Sequence, residues 1–269
     1  MQLDLSGGNS LYYLHNPPSR ENAVTFVFVN ALTGSTDSWE AEIGEVLRSA
    51  GFGTLSWNFR GQSGSAFDPE LALTDRLITS DLAGLLGNIA PARPVLVGLS
   101  IGGLYAARAV LGGTPAAGLV LINTLREIGP RIDWINAAMT RFAAHGGLGL
   151  FLDAFLPLLV NPDFAQKARP NFLGGAYVPL PPEHGHMNLV RHAAETDWTL
   201  DYSALALPTL IITGLQDRVF LDREVVDRLF AQLPDGRRED WADAGHLIPQ
   251  ERPVQFAARL VSFAAEIDA

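Results

Sequence analysis

The segment Val95-Leu96-Val97-Gly98-Leu99-Ser100-Ile101-Gly102-Gly103 carries a buried-strand pattern straight into an alanine-rich helical one, with a single serine at the junction. A reversal that abrupt is possible only as a sharp turn. Side chains two positions either side of the serine would collide with the following helix and with the adjoining strand, and glycine at 98 and 102 removes the collision. The serine is then expected in a strained backbone conformation, its hydroxyl projecting above the strand ends. The start of the following helix aims free N–H groups and a positive dipole end at the same spot.

A strand that feeds its own covering helix belongs in a parallel sheet, and the rest of the chain agrees. Gln2–Leu5 and Leu11–Leu14 read as an antiparallel entry hairpin around a Gly/Asn/Ser turn. After it, strand-like runs (24–29, 52–57, 94–99, 118–122, 209–213 and 237–241) alternate with helical spacings (38–50, 73–89, 101–111, 222–233 and 253–267). This alternation predicts an α/β protein with a mostly parallel, doubly wound sheet covered on both faces. Regularity breaks between Thr124 and Trp198, a stretch rich in aromatics and interrupted by Pro157, Pro162, Pro170, Pro179, Pro181 and Pro182. It reads as an inserted set of short helices. The expected division is a core of 1–123 and 199–269 with a helical cap at 124–198.

Composition narrows the chemistry. The 269 residues contain no cysteine, which excludes disulfides, zinc–thiolate sites, iron–sulfur clusters and thiol nucleophiles. Lys167 is the sole lysine, so a Schiff-base mechanism has one position to run through. A net charge of −10 is the wrong sign for nucleic acid or an anionic membrane surface. The longest apolar stretch, Leu148 to Val160, contains Asp153 and Pro157 and is shorter than the roughly 20 residues of a membrane span. The N-terminus shows neither a basic nor an apolar signal region, and the expectation is a cytoplasmic protein acting on a small molecule, without nucleic-acid or membrane partners.

A serine nucleophile needs a base and an orienting acid, which in this kind of sheet follow it in chain order at strand carboxyl ends. Asp217, in the loop after the 209–213 strand, is the expected acid, and His246, in the loop before the last helix, the expected base. Glu127 and Asp243 are the competing acids. Asp243 lies so close to His246 in sequence that it is poorly placed to reach the far ring nitrogen. His15, His145, His184, His186 and His192 lie in the entry hairpin or the insertion. His184-Gly185-His186 has neither the i,i+4 spacing nor the third ligand of a metal pair and reads as a solvated loop, so no metal or cofactor is expected.

With Gly98-x-Ser100-x-Gly102-Gly103, Gly214-x-x-Asp217, Gly245-His246 and Glu251-x-Pro253 in place, the chain resembles the α/β-hydrolase fold serine hydrolases of the small esterase, lactonase and cofactor-free perhydrolase type. The resemblance spans nearly the whole chain. It implies that Asn30-Ala31-Leu32-Thr33-Gly34-Ser35 stands where the family has a His-Gly-x-x-Gly-Ser loop, and that the backbone N–H groups of Leu32 and Ile101 form an oxyanion hole. A second loop, Asn58-Phe59-Arg60-Gly61-Gln62-Ser63-Gly64-Ser65, resembles the family's Asp-x-Arg-Gly-x-Gly-x-Ser and implies a structural role, with Arg60 bracing the oxyanion loop. Haloalkane dehalogenases and epoxide hydrolases share the fold but need a carboxylate at position 100.

The expected chemistry is hydrolysis of a small or medium, largely apolar carboxylic ester or lactone by Ser100, His246 and Asp217. Trp134, Phe142 and Phe155 are the candidate pocket aromatics, against the alternative that such residues simply hold the cap together. Arg126 is a candidate for meeting a substrate carboxylate, as is Arg131, against a solvated surface position. Cleavage of a carbon–carbon bond in a diketone-like substrate by the same triad is the second enzymatic reading. A ligand-binding protein that kept the fold is the third.

Overall fold

In the computed structural model, which describes residues 1–268, the chain opens with β1 (Gln2–Asp4) and β2 (Ser10–Asn16), paired antiparallel as expected. Strands and helices then alternate. The order is β3 (Thr25–Val29), α1 (Asp37–Glu40), α2 (Glu42–Ser49), β4 (Gly53–Trp57), α3 (Asp75–Ile89), β5 (Pro94–Leu99), α4 (Ile101–Leu111) and β6 (Gly118–Ile122). The insertion supplies α5 (Pro130–Leu159), α6 (Pro162–Ala168) and α7 (Gly185–Ala194) before β7 (Thr209–Gly214), α8 (Arg223–Phe230), β8 (Gly236–Trp241), α9 (Ile248–Glu251) and α10 (Pro253–Ile267). The sheet order is β1-β2-β4-β3-β5-β6-β7-β8. All pairings from β4 through β8 are parallel, and β5 lies near the middle.

The apolar strand runs serve both faces because successive side chains point to opposite sides. Val27, Leu96, Leu119, Leu121 and Ile211 pack with α3 and α4 through Ile78, Leu82, Leu85 and Leu104. Phe26, Phe28, Val97, Val120 and Ile212 pack on the other face with α2 and α10 through Ile43, Leu47, Phe256, Leu260 and Phe263. The inner strands β3 to β7 are thus buried on both faces, which is why they read as continuous rather than alternating runs.

Three local expectations are corrected. The 38–50 helix is two pieces, because Ala41 (φ −68°, ψ −94°) breaks the helical path between α1 and α2. The insertion is not made only of short helices: α5 runs for 30 residues and has the length and apolarity of a membrane span. Its backbone is interrupted at Gly147 (φ 68°, ψ −167°), where a side chain would collide with the carbonyl oxygen of Val178, so α5 is two helical rods joined at a kink. Met139, Ala143, Phe151, Leu156 and Leu159 are buried along its length. His184-Gly185-His186 is not a loop either. It opens α7, with the His184 ring accepting from the His186 N–H at 3.1 Å and His186 half-buried.

The close approach read from the sequence is present at the β5–α4 junction. A Cβ on Gly98 would strike the main chain of Gly102 and Gly103, and one on Gly102 would strike the carbonyl oxygens of Asn30 and Val29 at the end of β3. Gly98→Ala and Gly102→Ala are each expected to cost at least about 1–3 kcal/mol, because only backbone stands in the way. Urea unfolding measures this, and an unchanged midpoint would contradict the close approach.

Candidate active site

Ser100 sits between β5 and α4 with φ 58° and ψ −121°, a left-handed conformation that a non-glycine residue adopts only under constraint. The constraint is visible in the hydrogen bonds. Ser100 N–H donates to the Ile122 carbonyl of β6 at 2.8 Å, and the Thr124 hydroxyl donates to the Ser100 carbonyl at 3.0 Å. The peptide on each side of the residue is therefore held by the neighbouring strand end.

The loops after β7 and β8 bring Asp217 and His246 to the same end of the sheet. His246 Nδ1 and Asp217 Oδ2 are 2.7 Å apart, and both side chains are almost fully buried. Asp217 Oδ1 accepts the N–H groups of Val219 and Phe220, each at 2.9 Å. Burial pushes this carboxyl upward, but the His246 ring and the two backbone donors outweigh it and hold it below the ordinary carboxylate range. The competing acids are engaged elsewhere: Glu127 pairs with Arg228, and Asp243 with Arg252.

Two residues without an assigned role position this pair. Asn123, also left-handed at φ 49°, donates to the carbonyls of Gly245 (3.0 Å) and His246 (2.9 Å) and accepts from Gly214 N–H (2.8 Å), joining the two loops. Glu251 accepts the N–H groups of Gly245 and Leu247, which flank His246, and that of Asn161 at the end of α5. The Glu251-x-Pro253 pattern marked the second of these in the sequence. Asn123 carries no sequence signal, because its role depends on two loops that are far from it along the chain.

The N–H groups of Leu32 and Ile101 donate to no described residue, and both residues line the cavity that contains Ser100 and His246. The Leu32 loop is held from beneath. Asn30, fully buried, donates to Trp57 O, Asn58 Oδ1 and Gln62 Oε1 and accepts from Trp39 Nε1, while Gln62 Nε2 donates to the carbonyls of Ala31 and Leu32. Arg60 does not brace this loop. It makes a two-pronged ion pair with Asp81 on α3, and Gln62 does the bracing.

Arg126 is not solvated. It is 5% exposed, and its Nη2 donates to Ser100 Oγ at 3.1 Å and to Asn123 O at 2.8 Å. The guanidinium lies 4.3 Å from the ring centres of both Trp198 and Phe220. Phe220 in turn packs on the His246 ring at 5.0 Å, so one aromatic ring contacts both the cation and the imidazole. Arg131 is elsewhere, donating to Val219 O.

The remaining cavity wall is apolar and comes largely from the insertion: Met139, Phe151, Leu152, Leu156, Leu159 and Val190. The candidate aromatics are corrected accordingly. Trp134 is 79% exposed and does not line the cavity. Phe142 and Phe155 pack edge to face on each other at 5.6 Å, inside the cluster that holds α5 and α6 together, and also do not line it. Phe151, which touches Phe155, is the aromatic of α5 that does.

A buried strand, a strained serine, a covering helix, and an Asp–His pair delivered by the last two strand ends define a hydrolase of the α/β class. Residues 26–259 match the model of the alpha/beta hydrolase family, and the chain belongs to that family. It is 28% identical over 257 residues to BpoC of Mycobacterium tuberculosis, a protein named as a non-heme bromoperoxidase, covering 90% of this chain and 94% of that one. Among solved structures it resembles a thermophilic esterase from Thermogutta terrifontis (TM-score 0.79, 22% identity, 100% and 97% of the two chains). It also resembles the enol-lactonase from Burkholderia xenovorans LB400 (TM-score 0.78, 24% identity, 98% and 100%).

Two measurements follow from this geometry. Ser100→Gly relieves the positive φ and Ser100→Ala does not, so the glycine variant should be the more stable by about 1–3 kcal/mol in urea unfolding. Equal stability would mean that the turn is not strained. Because the Asp217 carboxyl is depressed in the folded protein, its ionised form contributes stability that is present above the ordinary value of 3.8 and is lost as pH falls through the lowered one. Asp217→Asn should therefore flatten the acid limb of unfolding free energy against pH, measured from about pH 5 downward.

Proposed function

We propose that the protein is a serine hydrolase that cleaves a small or medium, largely apolar carboxylic ester or lactone through an acyl-enzyme. The observation that carries this reading is the 2.7 Å His246–Asp217 pair opening, beside Ser100, into one apolar cavity. Ser100 Oγ attacks the carbonyl carbon, and its proton passes to His246 Nε2. That nitrogen bonds to no described residue, because Asp217 holds the ring through the other one. The free N–H groups of Leu32 and Ile101 receive the developing oxyanion, each worth about 3 kcal/mol in such a role. His246 then protonates the leaving alkoxide, and water completes the hydrolysis by the same proton path.

Ser100 Oγ acts as acceptor toward Arg126, so its own hydrogen remains available for donation to His246. Residues 124–198 act as a cap in this reading, their apolar side chains surrounding the acyl or alcohol portion. Ser100→Ala should keep the fold and reduce hydrolysis of 4-nitrophenyl esters and simple lactones by about 10⁴-fold or more. A fluorophosphonate probe should label the wild-type protein and not the variant. Undiminished turnover in Ser100→Ala would overturn the assignment.

A further inference from the structure

Arg126 is a cation buried without a counter-charge. Among the described residues no carboxylate lies within ion-pair distance of its guanidinium. Asp217, the acid whose charge it feels most, already accepts from His246, Val219 and Phe220. A guanidinium offers five N–H groups. Nη2 uses its two on Ser100 Oγ and Asn123 O, while Nε is buried with no partner and Nη1 donates to no described residue. Stacking between Trp198 and Phe220 compensates the charge in part and fixes the plane of the fork, but it satisfies none of the idle donors. A buried, unpaired charge is costly, and one built this rigidly is complete only when an anion arrives.

The side from which the anion comes is set by charge. Behind Arg126 the other charged residues lining the surface are Glu127, Glu195 and Asp197, all acidic and with no further cation among them. In front lies the apolar cavity with Ser100 and the free N–H groups of Leu32 and Ile101. We propose that Arg126 is a carboxylate receptor within the active site, and that the preferred substrate is an ester or lactone carrying its own carboxylate. The inference rests on the ester or lactone reading above and names the substrate class for it. Nη2 is 3.1 Å from the nucleophilic oxygen, and the idle Nη1 is within about 2–3 Å of Nη2 in the same planar fork. A reacting carbonyl carbon sits about 3 Å from that oxygen, so the carboxylate belongs about two or three carbon atoms from the scissile carbonyl. The rest of the substrate fills the apolar wall of Met139, Phe151, Leu156 and Val190.

The test pairs a charged substrate with a neutral one of the same shape. Monoethyl succinate and ethyl levulinate differ by a carboxylate against a methyl ketone, and a pH-stat follows both. The wild-type protein should favour the half-ester by about tenfold or more in kcat/KM, and Arg126→Met should lower the charged-to-neutral ratio by about 30-fold. Arg126→Lys, which keeps a charge but loses the planar fork, should fall between them. Calorimetric binding of hexanoate against hexanamide needs no turnover. Hexanoate should bind the wild-type protein at least about tenfold more tightly, and Arg126→Met should erase the difference. Thermal melts check that each variant is folded, and the two wild-type comparisons decide the matter if Arg126→Met is not. Equal treatment of the charged and neutral members by the wild-type protein overturns the proposal, as does a folded Met variant that keeps the preference. Hexanoate selectivity lost in Arg126→Met, with neither ester cleaved, would uphold the receptor and overturn the ester reading. Cleavage of both esters without preference would do the reverse.

Discussion

The contact between the β5–α4 turn and the end of β3 is the constraint on which the rest of the site depends. The turn closes on its own backbone at Gly98 and meets the β3 backbone at Gly102, with no room for a methyl group at either. Once they meet, the Ser100 N–H and carbonyl are captured by β6 and Thr124 respectively, and the serine is left in a conformation it would not choose. Strain of this kind persists only where the surroundings over-determine it. Here a central parallel strand, a covering helix and two neighbouring strand ends do so together. The same contact fixes the cavity floor, because Ile101 at the head of α4 and Leu32 beyond β3 become neighbours by the approach of their strands.

The groups that complete the site ride on loops, and loops need something other than sheet pairing to hold them. In this protein buried amides and one buried carboxylate take that role. Asn30 and Gln62 hold the Leu32 loop, Asn123 ties the Asp217 loop to the His246 loop, and Glu251 holds the main chain on both sides of His246. A single such bond contributes only about 1 kcal/mol net, but removing one partner strands the other in a place without water. Glu251 also accepts from Asn161, so the anchor of the His246 loop is shared with the chain leaving α5. The chain between α5 and α6 and the main chain around His246 are thereby tied to one side chain.

How far the sequence reveals this depends on the range of the interaction. The β5–Ser100–α4 turn was readable because its steric demand falls on residues two positions away, and the parallel sheet was readable because burial on both faces leaves unbroken apolar runs. Asp217 and His246 were readable because parallel sheets gather their strand ends at one edge. The insertion was not. Trp134, Phe142, Phe151 and Phe155 all sit at helical spacings in an apolar segment, and which of them faces the cavity depends on the kink at Gly147 and on the neighbours of α5. Arg60 and Gln62 lie two residues apart in one loop, yet one reaches α3 and the other the Leu32 loop. Nothing local distinguishes them.

Arg126 shows why residue type matters when a charge must survive burial. Desolvation by the surrounding rings and strand ends lowers its guanidinium to about 10, with Asp217 and Tyr202 opposing the shift. A guanidinium begins so far above neutral that it stays charged after such a loss. A lysine begins about two units lower, and the same environment would leave its ammonium a much smaller margin of charge at neutral pH. The flat guanidinium also fits between the Trp198 and Phe220 rings while leaving its edge donors free, which a tetrahedral ammonium cannot do. Phe220 also packs on His246, so one ring contacts both the cation and the imidazole. In a protein of net charge −10, a cation held beside Ser100 would supply, for the anionic substrate proposed above, the local attraction that the overall field denies it.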